Sequence, residues 1–281
     1  MTPMTTLSLS AFSGCAHSDV IAASSIRAVS TALACLMVWI SKAKYLNLAE
    51  TVKSMLKVRN VHKRFGECSV LEGVNLEIDK SERVGIIGPN GAGKTTLFNI
   101  ITGFLKPDRG EIRFRSRDIT GLKPNQLAKM GIVRTFQIVK VFSNMTVEQN
   151  MLTVSDDLDY LREFGLWEKR HELAANLSYG ELRKLSIALA LAPNPKLLLL
   201  DEPFSGLSPK EARDLAGIIE SINHNGQSIA IIEHRLKDLF NVAERVVVLN
   251  SGRIIFEGHP EEVVREKTVV EAYLGRKYAV A

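Results

Sequence analysis

Arg83–Ile87 (RVGII) runs without a break into GPNGAGKT, residues 88–95, and after Thr96 comes an apolar-periodic stretch, LFNIITG. A G-x-x-x-x-G-K-[ST] string between a short apolar strand and a helix constrains the fold more than any other feature of the chain. Gly88, Gly91 and Gly93 let the backbone turn tightly, so that the N–H groups of the loop, which also holds Pro89, Asn90 and Ala92, converge on an anion. The helix opening near Lys94, with Thr96 in its first turn, adds its positive dipole end. Lys94 reaches the terminal phosphates as a point charge, and the Thr95 hydroxyl ligates Mg²⁺. The expected ligands are a nucleoside triphosphate and Mg²⁺.

The metal needs a second holder, and hydrolysis needs a base. Lys196–Glu202 reads KLLLLDE, four leucines and then two carboxylates. An unbroken apolar run suits a parallel strand covered on both faces. Asp201 then emerges at the carboxyl end of the sheet, where open α/β folds bind ligands. Asp201 is assigned to Mg²⁺ and Glu202 to general-base action on the attacking water. Two more polar residues end short apolar runs: Gln137 after GIVRTF, and His234 just past SIAII (Ser228–Ile232). A Gln there can ligate Mg²⁺ or place water, and a His can contact a γ-phosphate; neither is diagnostic alone. Lys57–Lys63 and Val70–Ile78 read as two further strands.

With 46% apolar and 24% charged residues over 281, a sizeable core can form. The net charge of +5 gives no argument for a nucleic-acid partner, and none is expected. Cys15, Cys35 and Cys68 have no metal-ligand spacing and form an odd set, which disfavours a disulfide framework and fits a reducing compartment. Residues 1–54 are unlike the rest, rich in Ser, Ala and Thr. Their apolar run, Ala28–Ile40, is shorter than the roughly 20 residues of a spanning helix, and no lysine or arginine precedes Arg27 to make a secretory signal. They are set aside as an extension of unknown role. A membrane-surface helix, a disordered leader and sequence upstream of a true start at Met55 all stay open.

LSYGE (Leu177–Glu181) heads an amphipathic run and looks like an anion cradle without a lysine, built from Ser178, the Gly180 N–H and a helix start, with Glu181 beside them. The order of Phe65, GPNGAGKT, Gln137, LSYGE, LLLLDEP, SGLS and His234 resembles the ATP-binding subunits of ABC transporters over about residues 56–275. In that family two cassettes pack head to tail, and each ATP lies between one chain's phosphate loop and the other's signature helix. The missing lysine then belongs to the partner.

The resemblance implies an α/β P-loop NTPase fold of the ABC ATPase type, with a mostly parallel core sheet, an antiparallel β subdomain and a small helical subdomain. Within a domain over 55–281 it implies a helical insert at about 138–192, with Met145–Leu152 and Leu158–Trp167 as its helices, and a C-terminal helix at about 260–275. It implies ATP hydrolysis, with Phe65 stacked on adenine, Gln137 sensing the γ-phosphate, and His234 on the γ-phosphate and attacking water. Ser178, Gly180 and Glu181 would meet the partner's nucleotide, and Ser205–Ser208 would speak across the dimer. One phosphate loop and one signature per chain require a second ATPase subunit, identical or not. Two transmembrane permease subunits and an extracytoplasmic substrate-binding protein are the other implied partners. The implied place is the cytoplasmic face of the cell membrane, peripherally bound.

RTFQ (Arg134–Gln137), LSYGE in place of LSGGQ, FSGLSPKEA and the terminal AYLG (Ala272–Gly275) narrow the resemblance to the branched-chain amino-acid importers. The implied function is to power uptake of branched-chain or other hydrophobic amino acids. Related systems for urea or amide import and for lipopolysaccharide export share part of the pattern. Soluble ABC ATPases acting on ribosomes or DNA usually carry two cassettes or coiled-coil insertions, which this chain lacks. A cassette that only binds nucleotide would not need Lys94, Glu202 and His234 together. Four departures stand out: the Gln137–Leu177 stretch is short for the family, Ser208 stands where Asp is usual, Arg235 follows His234 where Asp is frequent, and the helix after the signature reads IALALA where an arginine is frequent. The resemblance also implies that the transported molecule never touches this subunit, so that no residue here reads it directly.

Overall fold

A computed structural model of the chain describes residues 54–137 and 140–274; residues 1–53 of the extension, with the Ala28–Ile40 run, and Gly275 lie outside the described residues, while Ser54 already belongs to the first strand. The strands are β1 (Ser54–Phe65), β2 (Cys68–Asp79), β3 (Arg83–Ile87), β4 (Arg109–Phe114), β5 (Arg117–Asp118), β6 (Ile132–Arg134), β7 (Leu197–Asp201), β8 (Ser228–Ile232), β9 (Arg245–Asn250) and β10 (Arg253–Gly258). The helices are α1 (Lys94–Ile101), α2 (Pro124–Met130), α3 (Val147–Leu152), α4 (Asp159–Glu163), α5 (Tyr179–Leu191), α6 (Pro209–His224), α7 (Leu236–Phe240), α8 (Pro260–Val263) and α9 (Lys267–Leu274).

Two sheets carry these elements. One is antiparallel, in the order β2-β1-β4-β5, and buries Leu56, Val58, Val74, Leu76 and Ile112. The other runs β10-β9-β3-β8-β7-β6, parallel throughout except for the edge strand β10. Its strands read as unbroken apolar runs because both faces are covered. In β7, Leu197 and Leu199 pack with Val84, Ile86 and Phe98 on one side, while Leu198 and Leu200 pack with Leu185 and Ile187 of α5 on the other. The period of two thus splits one run of leucines between two cores.

The insert differs in detail from the expectation. Its first helix starts at Val147, not Met145, because Thr146 caps it: the Thr146 hydroxyl accepts from the Gln149 N–H at 3.1 Å, and Gln149 Oε1 accepts from the Thr146 N–H at 2.9 Å. Its second helix stops at Glu163 rather than Trp167, since Gly165 turns left-handed at φ 67°, and a 3-10 turn, Trp167–Lys169, follows. The C-terminal helix expected at 260–275 is two helices, α8 and α9. Glu266 separates them, its carboxylate accepting from the N–H and hydroxyl of Thr268 and starting α9 afresh. Among the described residues no helix is long and apolar enough to cross a membrane.

Candidate active site

The carboxyl ends of β3, β8, β7 and β6 lie side by side. Lys94 follows β3, His234 follows β8, Asp201 ends β7 with Glu202 just after it, and Gln137 follows β6. Strand order therefore gathers residues that are far apart in the chain. In the phosphate loop the glycines are obligatory for close approach: a Cβ on Gly88 would lie 2.0 Å from the Leu249 carbonyl oxygen, and one on Gly93 2.7 Å from Leu71 Cδ2. Lys94 Nζ donates to the carbonyls of Gly88 at 2.7 Å and Pro89 at 3.1 Å. Burial lowers the Lys94 pKa, and the nearby carboxylates of Glu202 and Asp201 offset part of that. Thr95 is exposed and Thr96 half-buried in the first turn of α1.

Glu202 is the hub. Its Oε2 accepts from Gln137 Nε2 at 2.8 Å, and its Oε1 lies 3.0 Å from His234 Nε2. Its backbone sits left-handed at φ 49°, a conformation that a non-glycine residue keeps only when its surroundings hold it; here its N–H donates to the Ile232 carbonyl at 2.9 Å. Beside His234, the buried Glu233 carboxylate accepts from the N–H groups of Phe204, His234 and Arg235, and burial raises its pKa despite those donors. Arg235 Nη1 donates to the carbonyls of Phe204 at 2.7 Å and Leu207 at 2.9 Å, fastening the His234 turn to the SGLS loop.

Asp201 is buried, with its Oδ2 2.6 Å from Arg134 Nη2. A threonine hydroxyl, one carboxylate and a glutamine amide fit Mg²⁺ in kind, since that ion takes one or two carboxylates plus phosphate oxygens rather than an all-protein cage.

The signature residues form a separate group. The Ser178 hydroxyl accepts from the Glu181 N–H at 3.3 Å and caps α5, while Glu181 Oε2 accepts from the Ser178 N–H at 2.9 Å and Oε1 pairs with Lys169 Nζ at 2.9 Å. Burial alone would raise the Glu181 pKa, but Lys169 and Ser178 outweigh it and hold the carboxyl below its ordinary value. Gly180 rests on α6, where a Cβ would come within 2.2 Å of Glu211 Oε1. Ser208 caps α6 with its hydroxyl, which is the use this chain makes of the position where the family usually has Asp. Among the described residues none of Ser178, Gly180 and Glu181 is hydrogen-bonded to the phosphate loop. Phe65 ends β1 at 48% exposure, which excludes a core role, and Lys63 Nζ lies 5.6 Å from its ring.

Sequence reasoning gave no role to three arginines. Arg134 grips Asp201, and Arg235 grips the carbonyls of Phe204 and Leu207. Arg183, 1% exposed on α5, donates to the carbonyls of Phe136 (3.3 Å) and Gln137 (3.0 Å) and to the Tyr179 hydroxyl (2.6 Å). The available signal was a charge on the apolar stripe of α5, in line with Gly180 and Ile187.

Comparison with known proteins decides the family. The ABC transporter family matches residues 71–205, and the branched-chain amino acid ATP-binding cassette transporter family matches residues 253–279. The high-affinity branched-chain amino acid transport ATP-binding protein LivG of Escherichia coli (strain K12) is 39% identical over 249 residues, covering 79% of this chain and 98% of that protein. The chain belongs to the ABC transporter ATP-binding proteins. The lipopolysaccharide export system ATP-binding protein LptB of Haemophilus influenzae is 35% identical over 238 residues, covering 80% of this chain and 99% of that protein. Among solved structures, a nucleotide-free ATP-binding cassette from an ABC transporter superposes with TM-score 0.75 at 34% identity, covering 79% of this chain and 100% of the other. A dimeric cassette in a post-hydrolysis state bound to ADP and Pi gives 0.66 at 27% identity, covering 73% and 99%. The fold is that of an ABC ATPase, and the subunit is an ATP hydrolase. The LivG alignment is longer than the stretch of this chain it takes in, so LivG carries residues that this cassette lacks.

Proposed function

We infer that this ABC cassette powers uptake of branched-chain amino acids, hydrolysing ATP at two sites shared with a second ATPase subunit. The observation that carries the chemistry is the Glu202 carboxylate held between Gln137 and His234 at the sheet's carboxyl edge. In this reading the phosphates lie along residues 88–96, with Lys94 leaving its two loop carbonyls for the β and γ oxygens. Glu202 takes a proton from the attacking water while His234 holds the γ-phosphate, and the bond from the γ-phosphorus to the bridging oxygen breaks to leave ADP and phosphate. Thr95, Asp201 and Gln137 would hold Mg²⁺, which supplies charge neutralisation on the phosphates when bound.

Phe65, exposed at the end of β1, offers its ring face to adenine. Ser178 and the Gly180 N–H meet the partner's nucleotide. Glu181, an anion turned onto its own helix and Lys169, acts by shaping that cap rather than by touching phosphate. Phe142, Met145 and Leu173 are exposed on the insert, where 142–145 hydrogen-bonds to 174–175, and they suit docking to the permeases at the cytoplasmic face of the membrane. A substrate-binding protein outside the cell would complete an importer. The LivG likeness and the match over 253–279 support the amino-acid substrate. The LptB likeness supports a second reading, lipopolysaccharide export with the same ATP chemistry.

Glu202→Gln is expected to bind ATP, to form a stable dimer by light scattering, and to turn over roughly 10²–10⁴-fold more slowly. Undiminished turnover removes Glu202 as the base. The transport reading is tested by tagging the chain and purifying it from detergent-solubilised membranes of its host. Two permeases and an amino-acid-binding protein support import, lipopolysaccharide-export components support the second reading, and ribosomal or DNA-bound partners alone overturn transport.

A further inference from the structure

Arg134, the last residue of β6, is placed with unusual firmness for a charged side chain. Its guanidinium donates from Nη2 to Asp201 Oδ2 at 2.6 Å and from Nη1 to Asn99 Oδ1, on α1, also at 2.6 Å. Its Cζ lies 5.6 Å from the Phe98 ring centroid and 5.4 Å from that of Phe136. Side-chain exposure is 5% for Arg134 and 6% for Asp201. Arg134 Nε is buried with no hydrogen-bond partner, so the position is kept in spite of an unmet donor. A helix contact alone could be made by an apolar side chain without that cost.

The partner explains the arrangement. Asp201 is the carboxylate that would hold Mg²⁺, and Arg134 Nη2 already sits on its Oδ2 at 2.6 Å. Arginine is a suitable resident countercharge because it does not lose its proton in a protein. It is also a competitor: Mg²⁺ demands strict geometry and sheds water reluctantly, and a cation already on Oδ2 repels a second one. Asn99 and the two aromatic rings keep Arg134 from swinging away.

We propose that Arg134 is a positioning residue for the metal carboxylate, holding Asp201 aimed and competing with Mg²⁺ for its Oδ2, and so setting the Mg²⁺ concentration at which metal and nucleotide are retained together. The proposal rests on the assignment of Asp201 to Mg²⁺. In consequence the metal binds firmly only when nucleotide phosphates add their own charge, and Mg²⁺ alone is held weakly.

The test uses the full chain with ADP, which avoids turnover, titrated by calorimetry over a series of Mg²⁺ concentrations and in EDTA. Arg134→Met should lower the half-saturating Mg²⁺ by about fivefold or more, since a like charge is gone. Arg134→Lys, which keeps the charge, should stay within about twofold of the wild type. Melting temperature gives a second readout: Arg134→Met should lose more than the wild type in EDTA and regain more with Mg²⁺ and ADP, because the metal then supplies the missing countercharge. If Arg134→Met folds only with Mg²⁺ and ADP present, the fall in melting temperature on adding EDTA carries the comparison. An unchanged or raised half-saturating Mg²⁺, or equal loss of stability with and without metal, overturns the proposal. Asp201→Asn separates the two levels of the argument: if it leaves the Mg²⁺ dependence of ADP binding intact, the assignment of Asp201 itself falls.

Discussion

Arg183→Met asks how firmly the Gln137 turn is held to the signature helix. Three hydrogen bonds leave one guanidinium, and a hydrogen bond to a charged group contributes about 1.5–3 kcal/mol. Simple addition overstates the loss. Gln137 is exposed, Phe136 half-buried and Tyr179 46% exposed, so water can reach the acceptors that the substitution frees. The bond to the Phe136 carbonyl, at 3.3 Å, is long. Arg183 Nε is buried without a partner, and removing that unmet donor returns about 1–3 kcal/mol. Methionine keeps an unbranched stem and good helix propensity, so α5 itself is little affected. The net expectation is a loss of about 2 kcal/mol, or roughly 4–8 °C in melting temperature for a domain of this size.

Calorimetry measures that loss, and amide exchange shows where it falls. Exchange over residues 132–137 should quicken, while β7 and β8 keep their protection, because the substitution releases a turn and not the sheet. Arg183→Lys keeps the charge but lacks the fork that spans two carbonyls and a hydroxyl, so it should recover less than half of the loss. A melting temperature within about 1 °C of the wild type, together with unchanged exchange, would refute the view that this guanidinium holds the turn.

Lys94 carries a pH prediction. In the nucleotide-free subunit burial holds its ammonium below the ordinary lysine pKa, so the unfolded chain binds that proton more tightly. The stability it contributes is complete above the ordinary value and is lost as pH falls through the lowered folded value. Lys94→Met should therefore gain on the wild type more at about pH 8 than at about pH 10, while ATP affinity is lost; an equal difference at both pH values in thermal melts would rule this out. Gly180→Ala should drive its Cβ against the Glu211 carboxylate and push it off the Ser208 N–H, at about 0.5–1.5 kcal/mol, with weaker ATP-driven dimerisation by light scattering. Added to Glu211→Ala, the same change should cost nothing further, and an additional loss would place the strain elsewhere.

What could be read from the sequence, and what could not, divides on how local each cause is. The phosphate loop is legible because its chemistry lies in consecutive residues: the glycines, the lysine and the helix start act on one ligand from one turn of chain. The β7 strand is legible because an apolar run needs only to be covered on both faces. The helix breaks at Gly165 and Glu266 were readable in principle, one from a glycine and the other from an acid two residues before a threonine, but apolar period outweighed them. Arg134, Arg183 and Arg235 were not legible, because their partners come from strand order and helix packing. β6 must pair with β7 before Arg134 meets Asp201, and α5 must lie under Gln137 before Arg183 finds its carbonyls.

Arg235 shows why a departure from a family pattern need not be a loss. An acid at that position could accept hydrogen bonds but could donate none to the carbonyls of Phe204 and Leu207. Arginine donates to both, so this chain joins the His234 turn to the SGLS loop with the opposite charge and the opposite hydrogen-bond sense. The same logic covers Ser208, whose hydroxyl is spent on its own helix. With the Ser208 hydroxyl committed to its own helix, the link from the His234 turn to the SGLS loop runs through Arg235 and the backbone it grips, rather than through a side chain at 208.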